Sequence, residues 1–337
     1  MKYKKIKLVK TKVVKTAVIV AAMFMCLLIG CSKEEDAGQK NGNNLITENT
    51  DWQGDSVTEE SQEQNSMEET QENREEHMES ESTGETQSNQ EEQDMQQYPQ
   101  LKADGASWGL KYLESGMQPW GNEKVDVLAE YNAYFVGDKE EKVIYLTFDC
   151  GYENGNTEKI LAALEKYEVT GTFFITGNFL EKQQELLKKI VEKGHAVGSH
   201  SYTHPDITQL PDEDAFREEL DKVKTKFEEV TGEELSMYFR PPEGKCYSET
   251  LQLSKEMGYA TIFWSLAHVD WNTNNQPDPE SAIKTLTERI HPGAIVLLHN
   301  TSSTNGEIID ELIGKWIEMG YTIKPLSHLI EQNQTAE

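Results

Sequence analysis

Val143-Ile144-Tyr145-Leu146-Thr147-Phe148-Asp149 decides the fold. A β-branched and aromatic run that ends on a carboxylate reads as a strand with a polar residue at its C-terminal end. The pattern then repeats. Helical apolar spacing over 157–167 (Ile160, Leu161, Leu164) is followed by Thr172-Phe173-Phe174-Ile175, a helix over 181–193, and His195-Ala196-Val197-Gly198. Helices over 212–230, 248–257, 279–289 and 307–319 alternate with strand-like runs at 237–240, 260–265, 294–298 and 321–323. Six or seven strand-then-helix units predict an α/β fold, a parallel sheet closing on itself as a distorted (β/α) barrel of about seven strands. Chemistry in such barrels sits at the C-terminal strand ends. Asp149, His200, Arg240, Asp270 and His299 all fall there.

Working outward, the 337 residues carry 32 Lys+Arg against 60 Asp+Glu, a net charge of -28 that phosphate backbones repel, so nucleic acid is excluded as a partner. The charge is unevenly spread. Seven lysines and no acid precede an apolar run from Ala17 to Ile29, which is the pattern of a secretory signal over 1–30. Leu28-Ile29-Gly30-Cys31 resembles the lipobox of bacterial lipoproteins. That resemblance implies cleavage before Cys31, lipidation of its sulfur, and a chain anchored in the cell membrane on its extracytoplasmic face. A retained membrane anchor is the alternative. Residues 33–98 hold 16 Glu and 4 Asp against 2 Lys and 1 Arg with scarcely an aliphatic side chain, so 31–98 is expected to be a disordered acidic linker. Residues 99–142 read as an N-terminal cap, and 143–332 as the barrel domain.

The strand-end residues have types suited to hydrolysis. His200 and His204, at i and i+4, reach one ion if the segment makes a helical turn. A carboxylate such as Asp149 beside a cation suits a general base. Arg240, on the stiff turn Arg240-Pro241-Pro242-Glu243-Gly244, suits two-point grip of a carboxylate. His299 follows the apolar run Ile295-Val296-Leu297-Leu298. Singly, each has an ordinary explanation: a surface histidine pair, a surface ion pair, a satisfied core histidine.

Together and in order, Thr147-Phe148-Asp149-Cys150-Gly151, His200-x-x-x-His204, Arg240-Pro241-Pro242-x-Gly244, Asp270-Trp271 and Leu297-Leu298-His299 resemble the five motifs of the polysaccharide deacetylase family, carbohydrate esterase family 4 with the NodB-homology domain. Thr147–Gly155, Phe263–Ala267 and Ser107-Trp108-Gly109 resemble the branch acting on N-acetylmuramic acid in peptidoglycan, which serves muramic δ-lactam formation in spore cortex. The resemblance implies a NodB-type barrel and a divalent metal ion, zinc by donor type or else manganese or another, on His200 and His204. It implies Asp149 as base, Arg240 as its orienting partner, and His299 as the acid, supported by Asp270. It further implies an oxyanion-binding N–H just after Pro242 in the Pro242–Gly244 turn, and Trp271 and Leu297 shaping a pocket for the acetyl methyl. Peptidoglycan glycan strands are the implied partner.

Cys150 stands where most of the family has a second aspartate serving as metal ligand. It is read as a thiolate ligand, as a bystander, or as a partner for Cys246 in a disulfide. His195, His291 and His328 are expected to be structural, and Glu153 and Asn154 to meet substrate. Competing functions are deacetylation of N-acetylglucosamine or another glycan, and non-catalytic glycan binding.

Overall fold

The structure, a computed structural model, describes residues 106–334. The signal segment, Cys31, the acidic linker and the first residues of the cap lie outside the described residues. Within them, β1 (Ala106–Ser107), β2 (Leu110–Lys111), β3 (Trp120–Gly121) and α1 (Val125–Glu130) precede β4 (Ala133–Tyr134). Strand and helix then alternate: β5 (Val143–Cys150), α2 (Thr157–Lys166), β6 (Gly171–Ile175), α3 (Gly177–Lys182), α4 (Gln184–Glu192), β7 (Ala196–Ser199) and α5 (Glu213–Thr231). After these come β8 (Tyr238–Phe239), β9 (Lys245–Cys246), α6 (Ser248–Glu256), β10 (Ala260–Ile262), α7 (Pro279–Glu288), β11 (Ile295–His299), α8 (Ser303–Glu318), β12 (Thr322–Ile323) and α9 (Leu326–Gln334).

Seven strands form one sheet in the order β11-β5-β6-β7-β8-β10-β4, with β12 added beside β5, and every pair is parallel. The sheet curls until its edges are joined by isolated bridges, Leu266 to Val296 and Val136 to Ala294. Single pairs rather than a ladder close the ring, which is the distorted barrel that the strand–helix alternation predicts.

The two-residue period of a strand sorts β5 into two cores. Ile144, Leu146, Phe148 and Cys150 join the larger cluster with Ile160, Leu164, Phe173 and Ile309 from the surrounding elements. Tyr145 joins Phe174, Ile262, Ile295 and Leu329 in a second, inner cluster. Asp149 has the parity of Tyr145 and therefore faces inward. Each fully buried large apolar side chain contributes about 1.5–3 kcal/mol, so the register of β5 is strongly determined.

Four expectations are adjusted. The helix expected over 181–193 is two helices, α3 and α4, because Gln183 (φ −124°, ψ 38°) leaves helical geometry. The helix expected from 307 begins at Ser303, its N-terminus capped by the Ser302 hydroxyl accepting from Asn305 N–H. The strand expected over 260–265 stops at Ile262, since Arg240 takes the Ile262 and Phe263 carbonyls as its own acceptors. Part of the segment read as a cap belongs to the sheet itself: β4 is the edge strand beside β10. The rest covers the β9 turn, where Trp108 stacks on Phe263 with ring centroids 4.5 Å apart and donates Nε1–H to the Trp264 carbonyl.

Candidate active site

The register of β11 on β5 sets His299 opposite Asp149. His200 follows the last residue of β7 and Arg240 the last of β8, and those last residues, Ser199 and Phe239, are paired. Asp149, His299, His200 and His204 thus come together, with Arg240 beneath. Two cavities of about 490 and 640 Å³ share Asp149, His200, His204, Trp271 and His299 in their walls.

Arg240 is fully buried. Its Nη1 donates to Asp149 Oδ1 at 2.8 Å, its Nε to the Ile262 carbonyl and its Nη2 to the Phe263 carbonyl, and its guanidinium lies 4.3 Å above the Phe174 ring. The contact with Asp149 is therefore single-point rather than the two-point grip expected, because Nε and Nη2 are directed to the carbonyls of Ile262 and Phe263 at the end of β10. Burial alone would raise the Asp149 pKa, but Arg240 foremost, with His200 and His299, brings it below the usual aspartate range. The carboxylate is ionised at neutral pH.

Asp270 is 1% exposed and meets His299 twice, through Nδ1 at 2.7 Å and through the backbone N–H at 2.8 Å. Burial would lower the His299 pKa, but Asp270 foremost, with Asp149, offsets it, and the net is a raised value. The same pairing takes the Asp270 pKa down against its own burial. One wall of the cleft thus carries an ionised carboxylate and the facing strand end a readily protonated imidazole, the separation of roles that acid–base catalysis needs.

The histidine loop is not a helical turn. Ser201 and His204 both adopt left-handed backbone (φ 60° and 57°), and this brings the two imidazole centroids to 4.8 Å. His200 Nδ1 donates to the Arg240 carbonyl at 2.8 Å, which leaves its lone pair on Nε2, 3.5 Å from Asp149 Oδ2. Burial pushes the His200 pKa down to about 4, so the ring is neutral, as a metal ligand must be. Two lone-pair atoms at that separation, with a second imidazole alongside, repel unless a cation or a proton lies between them. The donor set fits a cation held by His200 and His204. Among the described residues no three His, Cys, Asp or Glu side chains group as a complete ligand set.

Cys150 does not join them. Its side chain lies in the outer core, fully buried, with Sγ 3.7 Å from the Phe148 carbonyl. Cys150 and Cys246 are both free thiols, and burial raises the pKa of each, that of Cys246 to about 12. The bystander reading is the one that matches this placement.

In the Arg240 turn, Pro242 is buried and Gly244 has φ 64°. A Cβ on Gly244 would lie 2.7 Å from Trp108 Cβ, so glycine is required there. Gly244 and Lys245 supply the turn's own N–H bonds, leaving that of Glu243 unused by the turn. Glu243, Gly244 and Leu297 line the larger cavity. Trp271 is 62% exposed and stands on the rim rather than inside a methyl-sized pocket.

Several residues escaped the sequence reading. Asn305, buried in the first turn of α8, donates Nδ2–H to Asp270 Oδ2 at 2.6 Å and to the His299 carbonyl, and its Oδ1 meets His268 Nε2. Asn300 ties the loop after Asp149 through the Tyr152 carbonyl, Glu153 and Thr157. Glu153, expected to meet substrate, is spent on Gly155, Thr157 and Asn300. The Ser302 cap was the available signal for Asn305, since it fixes where α8 begins. His195, His291 and His328 bond to Gly171 N–H, to the Arg289 carbonyl and Ser265, and to Tyr145, all away from the cleft.

The polysaccharide deacetylase family matches residues 136–262. The peptidoglycan-N-acetylmuramic acid deacetylase PdaA of Bacillus subtilis is 41% identical over 229 residues, 68% of this chain and 87% of that protein. An uncharacterised 30.6 kDa protein of Geobacillus stearothermophilus is 45% identical over 66% of this chain and 84% of its own. The solved structure of PdaA, a family 4 carbohydrate esterase, has a TM-score of 0.66 at 40% identity and covers 69% of this chain and 99% of that one. A family 4 carbohydrate esterase from Bacillus anthracis gives 0.57 at 38% identity, over 68% and 98%. Likeness of this extent, in sequence and in fold and across almost the full length of the relatives, makes the chain a member of the polysaccharide deacetylase family.

Proposed function

We propose that the chain is a metal-dependent hydrolase that removes the N-acetyl group of N-acetylmuramic acid in peptidoglycan, yielding acetate and a free amine. The observation that carries the chemistry is the opposed pair on β5 and β11. Asp149 is kept ionised by Arg240, and His299 is made easier to protonate by Asp270. The choice of the muramic unit rests on the similarity to PdaA.

Asp149 takes a proton from the attacking water, and Arg240 holds the carboxylate in place for that transfer. The N–H of Glu243, beside the cavity, is available to the oxyanion of the tetrahedral intermediate. His299, whose Nδ1 is engaged by Asp270, presents Nε2 to protonate the departing nitrogen. A divalent cation on His200 and His204, zinc by donor type or manganese, would polarise the acetyl carbonyl and acidify the water. Leu297 supplies an apolar wall, and Trp271 a ring face on which a sugar can rest. We further propose that Cys31 carries a lipid that holds the domain on the outer face of the cell membrane. The supporting feature is the lipobox-like sequence after an apolar run, and Cys31→Ser should release the protein from the membrane fraction.

The test is mass spectrometry of muropeptides after incubating the protein with purified peptidoglycan, intact or stripped of peptide, and zinc or manganese. Loss of an acetyl group confined to muramic acid supports the proposal. Loss confined to glucosamine overturns the substrate, and no loss under any of these conditions overturns the enzyme.

A further inference from the structure

α5 buries Phe216, Glu219, Leu220, Val223 and Phe227. Steps of three and four put all five on one helix face, and a carboxylate on such a face is tolerated only when hydrogen-bonded. The oxygens of Glu219 find three neutral donors, all in the loop that joins the two imidazoles. Oε2 accepts from the N–H groups of Tyr202 at 2.8 Å and Thr203 at 2.7 Å, and Oε1 from the Thr203 hydroxyl at 2.8 Å.

That loop needs a hold from outside. Ser201 and His204 are left-handed without being glycine, a conformation that persists only where the surroundings over-determine it. Ser201 N–H donates to Ser199 Oγ, His204 N–H to Ser201 Oγ, and the Tyr202 carbonyl accepts from Gly177 N–H. Glu219 completes the set by fixing the peptide planes on both sides of Tyr202. The two imidazoles depend on the loop unequally. His200 is buried and held by the Arg240 carbonyl and the Ile175 carbonyl at the end of β6. His204 is exposed, and its position follows the loop backbone.

We propose that Glu219 is a positioning residue for the cation site: by clamping Tyr202 and Thr203 it sets His204 against His200 and thereby the affinity for a divalent cation. This rests on the reading of His200 and His204 as the ligands. Outer partners of metal ligands are worth about 10- to 100-fold in affinity.

The experiment compares wild type, Glu219→Leu, Glu219→Gln and His204→Ala, each stripped of metal. Zinc and cobalt dissociation constants are read by competition with a chromophoric chelator, and the melting temperature is read without metal. Leucine fits the apolar face of α5 but accepts no hydrogen bond, so Glu219→Leu should fold and bind zinc about 10- to 100-fold more weakly. Glutamine still accepts from both N–H groups and donates to the Thr203 hydroxyl, so Glu219→Gln should recover most of the affinity. A changed cobalt absorption spectrum in Glu219→Leu supports a displaced imidazole. A wild-type dissociation constant in Glu219→Leu, with binding lost in His204→Ala, overturns the role of Glu219 and leaves the ligand reading standing. Undiminished binding in His204→Ala, or none in wild type, overturns the ligand reading and the proposal with it. If Glu219→Leu does not fold, Thr203→Val, which removes the hydroxyl bond to Glu219 at an exposed position, decides: weaker zinc binding at an unchanged melting temperature supports the clamp, and an unchanged dissociation constant overturns it.

Discussion

Asp270→Asn keeps the shape of a buried side chain and removes its charge, which isolates what that charge does to His299. The carboxylate lies 2.7 Å from His299 Nδ1 and is 1% exposed. An opposite charge this close moves a pKa by about 1–3 units. Burial pulls the His299 pKa down and Asp270 is the leading influence raising it, so the substitution should drop that pKa by about 1–3 units. A protonated His299 is needed to release the amine, so kcat/KM falls as pH rises through its pKa. The alkaline limb of the variant should therefore move to lower pH by about 1–3 units. Stability carries the same sign. A histidine with a raised folded pKa contributes fully below its unfolded value of about 6.5 and loses that contribution as pH rises through the folded value. The deficit of the variant should thus reach about 1.4–4 kcal/mol below about pH 6.5 and narrow as pH rises through the folded value. The assays are acetate release from peptide-free muramic glycan across about pH 5–9, bracketing the histidine range, and urea unfolding at matching pH. An alkaline limb that stays put, or moves upward, would refute His299 as the proton donor.

Other substitutions probe the remaining parts. Asp149→Asn should lower kcat by about 10²–10⁴-fold while glycan affinity is retained; turnover close to wild type would remove Asp149 from the mechanism. Arg240→Met leaves the Asp149 carboxylate buried without its partner and should cost about 3–5 kcal/mol in urea unfolding near neutral pH, and a loss under about 1 kcal/mol, the range of surface pairs, would contradict a buried ion pair. Cys150→Ala should leave zinc affinity unchanged, because Sγ faces the outer core, and a weakening of about tenfold or more, the scale of a lost metal-site contact, would make the thiol a ligand. Both thiols should resist a water-soluble thiol reagent in the native protein and react on unfolding.

Four of the residues in contact with the cleft were legible because each sits within a residue of a strand end, where order along the chain and a period of two are enough to place it. Asp149, His200, Arg240 and His299 need no knowledge of packing beyond a parallel sheet. The same period already decided Cys150: one residue past an inward-facing Asp149, it faces outward, which selects the bystander among the three readings its family position left open. The backbone between the histidines was not legible in this way, since i and i+4 suggest a helical turn and the left-handed geometry of Ser201 and His204 is imposed from outside the loop. What imposes it sits on helices. Asn305 and Glu219 act across 35 and 16–17 residues of sequence, on Asp270 and on the histidine loop. Their reach depends on how α8 and α5 rotate against the sheet, which local propensity does not encode. Yet Glu219 did leave a mark. Phe216, Leu220, Val223 and Phe227 define an apolar stripe, and a carboxylate inside that stripe contradicts the pattern around it. Burying a charge without partners is costly enough that the contradiction is itself information: some segment packed on that face must supply donors. Among the described residues, the segment that does so is the one whose shape brings two imidazoles together, and a polar residue that breaks an apolar helix face next to a strand end is therefore a signal to read as closely as the strand end itself.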